Sequence, residues 1–447
     1  MGNFRIFRRR PLWGASFYYQ GMSTTARAPS AVFVPLRQDA KVIGLVGSAH
    51  LISHFSQLLL APLFPWLKAE FNVSYAQLGF LMTVFFAVSC GVQALSGFMV
   101  DRFGPRPILF GGLALLGLAA FGYAASPSYT LMACAAAVAG VGNGVFHPVD
   151  YTLLNRKVSA ARLGHAYSAH GITGSLGWAL APALLVPLAF AFSWRVAMAV
   201  AGSLVFGVLV VLVWHRDTLR LEPAAAPLKT PAGGAQTPVE GSLAFLKIPA
   251  VWMCFTFFFW YAMVLSVVQA FAPEAARQLH AVPQALVAIC LTAYLVASSA
   301  GMVVGGFLAA NPARCEKIVG ISFAVAASVA LLLALAPDGS LAPWMVPGLF
   351  GVMGLASGMA GPSRDLLVKR STPENASGRV YGVVYAGLDI GQALSPLVFG
   401  ALMDHGQYRG VLLGLALTQG VLIASAFNVR RVRRTPVAVP VGAVSAG

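Results

Sequence analysis

Two acidic residues and a stripe of histidines are the side chains of this 447-residue chain best placed to do chemistry. Asp389 stands in the string GLDIGQALSP, three residues before Gln392 and on the same helical face. An ionised aspartate at mid-helix in a bilayer costs about 2.5–3.5 kcal/mol on insertion scales, so it is rarely kept there without a use. The fitting uses are taking up a proton and holding a polar solute. Asp150 lies close to the end of its apolar span, where a carboxylate can snorkel to water. His50, His54 and Gln57 follow at i, i+4 and i+7, a single polar stripe. Imidazole titrates near neutral pH, so that stripe can carry a proton or hydrogen-bond a solute. The His50–His54 spacing alone would also suit a metal, but no Glu accompanies it in H-E-x-x-H fashion, and no metal site is expected. Asn143, His147, His170, Gln269 and Tyr385 complete the candidate set, with Tyr261 and Tyr294 as further cavity-lining residues. No arginine is expected at mid-membrane, which weighs against a strongly anionic solute.

The elements that must position these residues are apolar helices. Hydrophobic residues make up 58% of the chain and charged residues only 10%. Apolar runs recur near 41–66, 75–100, 107–125, 129–154, 165–190, 195–214, 250–272, 284–309, 317–336, 343–367, 379–403 and 407–428. Each is long enough to cross a hydrocarbon layer of ~30 Å as a helix. The expected organisation is a disordered tail over 1–40, a six-helix half over 41–214, a linker over 215–249, a second half over 250–428 and a tail over 429–447. The first tail is Arg-rich and has no continuous apolar core, so it is not a cleavable signal, and Met22 is an alternative start. The linker is rich in Ala and Pro. The net charge of +16 does not indicate nucleic acid, because the basic residues gather in alternate connections. Only Lys68, Arg195, Arg277 and Arg409 fall on the other side, so both termini are expected to be cytoplasmic. The five cysteines, scattered and without C-x-x-C spacing, read as packing residues.

The chain also writes part of itself twice. Gly140, Gly144, Pro148, Arg156, Gly164, Tyr167, Gly177 and Pro182 recur at a constant offset as Gly354, Gly358, Pro362, Arg370, Gly378, Tyr381, Gly391 and Pro396. Small residues at Gly-x-x-x-Gly spacing let helices approach closely. A membrane chain that repeats such a unit after about half its length is built from two similar halves, and its site is expected between them.

Gly97–Arg106 reads GFMVDRFGPR, a glycine turn with Asp101, Arg102, Gly104 and Arg106 at the end of the second span. It resembles the G-x-x-x-D-R-x-G-x-R signature of the major facilitator superfamily and stands where that family has it. The resemblance runs from Lys41 to Asn428. It implies an all-α, twelve-span fold in two pseudo-symmetric six-helix halves that rock about a central site. It also implies an inner latch in which Asp101 reaches the start of span eleven, near Gly378 and Arg379. The second-half counterpart, Gly306 to Asn311 with Arg314 and Lys317, has lost the acid, so the latch is expected to be one-sided. Phe146-His147-Pro148 with Arg162-Leu163-Gly164 is similar to the branch that includes the fosmidomycin-resistance exporters. In span five, Gly177–Ala183 has alanine before its proline, a departure from the antiporter signature.

The expected function is therefore secondary active transport of a small organic solute or drug by alternating access, with a proton gradient as energy source and no cofactor. Uptake of an organic carboxylate and a non-transporting membrane receptor are the alternatives. An enzyme would need clustered carboxylates or a metal set inside the bilayer, and the 14 acids lie mostly in loops. The expected partners are the lipid bilayer and a small solute, without nucleic acid. One chain is expected to suffice, as a multi-pass protein of a bacterial inner membrane.

Overall fold

The computed structural model describes residues 35–159, 162–221, 247, 249–309, 314–371 and 377–434. The side chains of residues 101, 250, 365–371, 377–382, 426 and 428–434 lie outside that description. So do the tail over 1–34 and most of the expected linker. The account below concerns the unit that begins at Leu36.

All of the described regular structure is helical. It runs α1 (Leu36–Gln57), α2 (Phe64–Phe71), α3 (Tyr75–Phe103), α4 (Pro105–Ala125), α5 (Tyr129–Asn143), α6 (Phe146–Lys157), α7 (Leu163–Ala191) and α8 (Trp194–Trp214). After the linker come α9 (Pro249–Ala270), α10 (Ala272–His280), α11 (Gln284–Leu308), α12 (Cys315–Leu335), α13 (Met345–Ser371), α14 (Ser377–Asp404) and α15 (Tyr408–Arg434). Twelve spans among the described residues are long and apolar enough to cross a membrane. Large apolar side chains such as Leu95, Phe98, Trp214, Phe307 and Leu417 point outward, as a lipid-facing surface requires.

Local chemistry sets the helix ends. Ser74 and Gln77 form a reciprocal capping box at the start of α3, with bonds of 3.1 and 2.8 Å. Gly104, at φ +80°, makes the turn into α4, and Pro105 takes the first helical position, where its missing N–H costs nothing. Two expected spans are not simple rods. The run 41–66 is α1, a 3₁₀ turn at Ala61–Leu63 and α2, because Pro62 and Pro65 interrupt the hydrogen-bond ladder. The run 129–154 splits into α5 and α6 at Gly144–Val145. The short helix α10 follows the seventh span, closing on Ala281 at φ +52°. Hydropathy does not register these breaks, since the interrupting residues are themselves apolar.

The repeated glycines do matching work in the two halves. A Cβ at Gly140 or Gly144 would strike the carbonyls of Phe85 or Ser89 on α3. Their counterparts Gly354 and Gly358 press on the carbonyls of Tyr294 and Ser298 on α11. Gly177 lies on the Leu51 carbonyl of α1, and Gly391 on the Phe259 carbonyl of α9. Backbone contact of this kind leaves no room for a side chain.

The halves meet along two seams, α3 against α14 and α7 against α11. Among the described residues, the α3–α14 seam is closed at the end away from Leu36 and Arg434. There Asp404, closing α14, accepts from the backbone N–H of Tyr75 at 2.7 Å and of Ala76 at 2.8 Å. Those amides are the orphan donors of the first turn of α3, whose dipole favours an anion. Further along, Thr83 donates to the Ala393 carbonyl at 2.6 Å. Gly79 packs on Pro396, and Gly400 on Ala76.

Candidate functional site

The break between α5 and α6 turns the polar residues of the expected fourth span toward α1 and α7. Asp150 is fully buried there. His50 Nδ1 and His170 Nε2 each lie 3.1 Å from the same oxygen, Asp150 Oδ2. With the carboxyl ionised, both imidazoles donate N–H to it. The two rings stack with centroids 3.5 Å apart, so two positive charges there would repel at close range. One carboxylate and two facing imidazoles thus form a single hydrogen-bonded unit across α1, α6 and α7. Asp150 Oδ1 and both nitrogens of His54 are buried without a hydrogen-bond partner among the described residues. The expectation that Asp150 snorkels to water is corrected. Packing of α6 on α1 and α7 surrounds it, and two histidines supply what water would have.

The His50–Asp150–His170 donors also lie within 4.8 Å of one another, a spacing a metal could use. Hydrogen bonds already link Asp150 to both rings, and nothing in the geometry requires an ion. Gln57 and Asn143 form a second network. Asn143 Oδ1 accepts from Ser53 at 2.9 Å and from Gln57 at 3.1 Å, and its amide donates to Ser89 at 2.9 Å. Trp178 Nε1 donates to Gln57 at 3.0 Å. These bonds tie α1, α3, α5 and α7 into one polar-cored half.

The contact between halves at this level runs through Tyr385 of α14. Its hydroxyl lies 3.1 Å from that of Tyr151, and its ring is 5.2 Å from half-buried His147. Asp389 follows one helical turn later on the same face, with Oδ2 lacking a partner among the described residues. Gln392 is buried with its carbonyl oxygen likewise unpartnered there. His50, His147, His170 and Asp150 thus gather with Tyr385 at one level, while Asp389 and Gln392 continue along α14. Gln269 stands apart. It lines a small cavity of about 40 Å³ with Tyr75, Pro182 and Glu274, toward the end closed by Asp404. Glu274 there holds Arg277 at 2.7 and 2.8 Å, and this bonding raises the pKa of the guanidinium above its ordinary value.

Of the latch motif, Gly97, Asp101, Arg102, Gly104 and Arg106 all lie at the α3–α4 junction. Arg102 is exposed against the Phe103 ring at 5.3 Å. The side chain of Asp101 and those near Gly378 and Arg379 lie outside the described residues, as does Asn311 of the counterpart.

Three charged groups escaped the sequence reading. Asp39 is fully buried at the start of α1, accepting from Ser159 Oγ at 2.5 Å and from Arg162. Asp404 joins the halves, as described. Arg364, grouped by sequence with a basic connection, lies within α13 with its guanidinium 4.3 Å from the Tyr261 ring centre and 5.3 Å from that of Phe258. A fork of planar donors thus lies against aromatic faces inside the bundle.

Twelve apolar spans in two matching halves, with a polar level where the halves touch, define a polytopic membrane transporter fold. The chain matches the family model of the Major Facilitator Superfamily over residues 46–354 and 276–445, and it belongs to that family. It is 30% identical over 156 residues to the fosmidomycin resistance protein of Escherichia coli, a match covering 33% of this chain and 36% of that one. It is 25% identical over 169 residues to the probable sulfoacetate transporter SauU of Cupriavidus necator, covering 37% and 39%. With the membrane sensor protein UhpC of Salmonella typhimurium it shares 29% over 164 residues, 37% of this chain and 36% of that one. These matches therefore span between a third and two-fifths of each relative. A crystal structure of a bacterial homolog of the human lysosomal transporter Spinster, inward-facing and unoccupied, superposes with a TM-score of 0.69. It has 15% identity and covers 89% of this chain and 98% of that one, a likeness of fold alone.

Proposed function

We propose that this chain is a secondary transporter that carries a small organic solute across a bacterial inner membrane by alternating access, coupled to protons. The observation that carries the reading is the contact of Tyr385 with His147 and Tyr151, a polar meeting of two halves that elsewhere touch mostly through apolar helices and small residues. Asp389 beside it, and the His50–Asp150–His170 unit behind it, are the groups proposed to take and release the coupling proton. Gln57, Asn143 and Gln392 are proposed to keep the surrounding helices in register and to offer amides to the solute.

Alternating access draws support from the closure of one end of the α3–α14 seam by Asp404. The gathering of basic residues in alternate connections supports cytoplasmic chain ends, and the face closed by Asp404 is proposed to be the outer one. The arrangement is proposed to be an outward-closed state, with Asp101 making the matching inner closure when the outer face opens. The halves are proposed as 41–214 and 250–428, joined by the linker 215–249 between cytoplasmic tails, with one chain forming a complete pathway. No enzymatic reaction and no cofactor are proposed. A receptor without flux is the second reading, favoured by the likeness to a membrane sensor.

Reconstituted protein tests both. Flux of a panel of small acids, amides and amines into proteoliposomes is measured with and without an imposed pH gradient. Gradient-dependent movement, with D389N losing it while retaining counterflow, is the expected result. Saturable binding of a solute that never crosses would establish the receptor instead. Gradient-driven flux at the normal rate in D389N would remove Asp389 from the coupling.

A further inference from the structure

We infer that His50, Asp150 and His170 form a binding site for one divalent transition-metal ion of the zinc, cobalt or nickel kind. The inference stands on the geometry of one half and does not depend on the transport reading.

His50 Nδ1 and His170 Nε2 each lie 3.1 Å from Asp150 Oδ2, and the three donor atoms all fall within 4.8 Å of one another. Ligand atoms held at about 2.0–2.2 Å from zinc stand about 3.4 Å apart in a tetrahedron, so only small side-chain movements separate this geometry from coordination. The way the donors converge is the stronger observation. A carboxylate has lone pairs on both oxygens, and donors bound by hydrogen bonding alone gain by spreading over the two. Here both imidazoles meet Oδ2, while Oδ1 is buried without a partner among the described residues. Two nitrogens converging on one oxygen, with a second oxygen in reserve, is the arrangement of a coordination sphere. Hydrogen bonds hold the unit together without an ion, so the site fills on exposure to the metal. Each imidazole then presents a lone pair in place of an N–H.

Further nitrogens stand close by. The His54 ring, one turn along α1, is 4.3 Å from that of His50. The half-buried His147 ring, one turn before Asp150 on α6, is 5.5 Å from it. These two rings are the source of a fourth ligand. Gly174 on α7 makes the crowding feasible, since a Cβ there would come within 2.8 Å of the His54 ring and 3.0 Å of His50 Nε2. The acid that the His50–His54 spacing lacks in the sequence is thus supplied by another helix. Imidazoles around a single carboxylate select a borderline ion, because magnesium and calcium take mainly oxygen ligands. An ion held there ties α1, α6 and α7 together within the first half.

The test is metal binding by purified full-length protein in detergent, prepared without a histidine tag. Zinc, cobalt and nickel chlorides are the probes, read by isothermal titration, with magnesium and calcium chlorides as counterparts. The expected result is one ion per chain for at least one of the three, about tenfold or more tighter than magnesium or calcium. Binding should also raise the melting temperature. H170Q and D150N should each weaken it by about tenfold or more, since even outer-shell partners of a metal are worth 10- to 100-fold. Of the eight histidines, His165, His215 and His405 lie near helix ends, and His280 is bonded to the Leu333 carbonyl at 2.9 Å. The triple variant H165Q/H215Q/H405Q should therefore bind as the wild type does. No binding of any of the three ions, equal binding of magnesium, unchanged affinity in H170Q, or loss of binding in the triple variant would overturn the inference. The triple variant leaves the buried cluster intact, so it decides even if H170Q and D150N fail to fold. Metal binding without solute flux would leave the site standing and remove the transport reading, and flux without metal binding would do the reverse.

Discussion

Asp150 carries the densest bonding of any buried acid at the polar level of the bundle, and its replacement tests what the histidines are for. D150A strips two imidazoles of their acceptor at once, and each charge-assisted bond of this kind contributes about 1.5–3 kcal/mol. D150A is therefore expected to lower stability by about 2–4 kcal/mol, read as a fall in melting temperature in detergent. D150N retains an acceptor oxygen and should lose less than half as much, while both variants lose gradient-driven flux. Equal stability of all three proteins would show that the histidines do not depend on the carboxylate. Much of this site was readable residue by residue, because a histidine or an acid in an apolar run stands out whatever its partners. The pairing was not. The sequence spacing groups His50 with His54, since a helix repeats locally, whereas the hydrogen bonds go to Asp150 and His170 on other helices. Arg364 escaped for a related reason. It falls at the end of its apolar run, and only contact with α9 reveals that its long side chain turns back into the bundle.

Helix-on-helix contact is where the repeat becomes physical. Gly177 and Gly391 occupy equivalent positions in the repeat, and each meets a carbonyl of the first helix of its own half. G177A and G391A should each cost about 1–3 kcal/mol, as overpacking of a filled interface does. G171A, on the same helix as Gly177 but facing open space, should change stability by less than about 0.5 kcal/mol. Thermal unfolding of the three proteins checks this, and a loss in G171A as large as in G177A would mean that contact with the Leu51 carbonyl does not set the cost, since helix propensity favours alanine. The spans themselves were legible because apolar run length is a local property fixed by bilayer thickness. The breaks at Gln57–Phe64 and Gly144–Val145 were not, because proline and glycine serve both for kinks and for close packing in membrane helices.

At the scale of the whole molecule, closure of one face depends on a contact between residues 329 positions apart, Tyr75 and Asp404. Such a pair leaves no trace in local pattern, and Asp404 reads from sequence as one more loop acid. Its two bonds to the first turn of α3 join helix dipole and charge, worth together roughly 1 kcal/mol at an exposed site. D404A is expected to shift about fivefold more protein toward a form open on that face. Distances between spin labels at the adjoining ends of α3 and α14 would report it as a longer-distance population. An unchanged distance distribution would mean that Gly79–Pro396 and Gly400–Ala76 packing holds the face without help.

The most direct test of the central claim, that the halves must part along the α3–α14 seam for the solute to cross, is flux through a protein whose seam can be locked. Cysteines at Thr83 and Ala393, where the two helices already share a hydrogen bond, are joined by a short reducible cross-link in a background lacking the native cysteines. In proteoliposomes the linked protein is expected to lose solute flux and to regain it when the link is reduced. Flux that continues at the unlinked rate through the locked protein would contradict alternating access by rocking of the two halves.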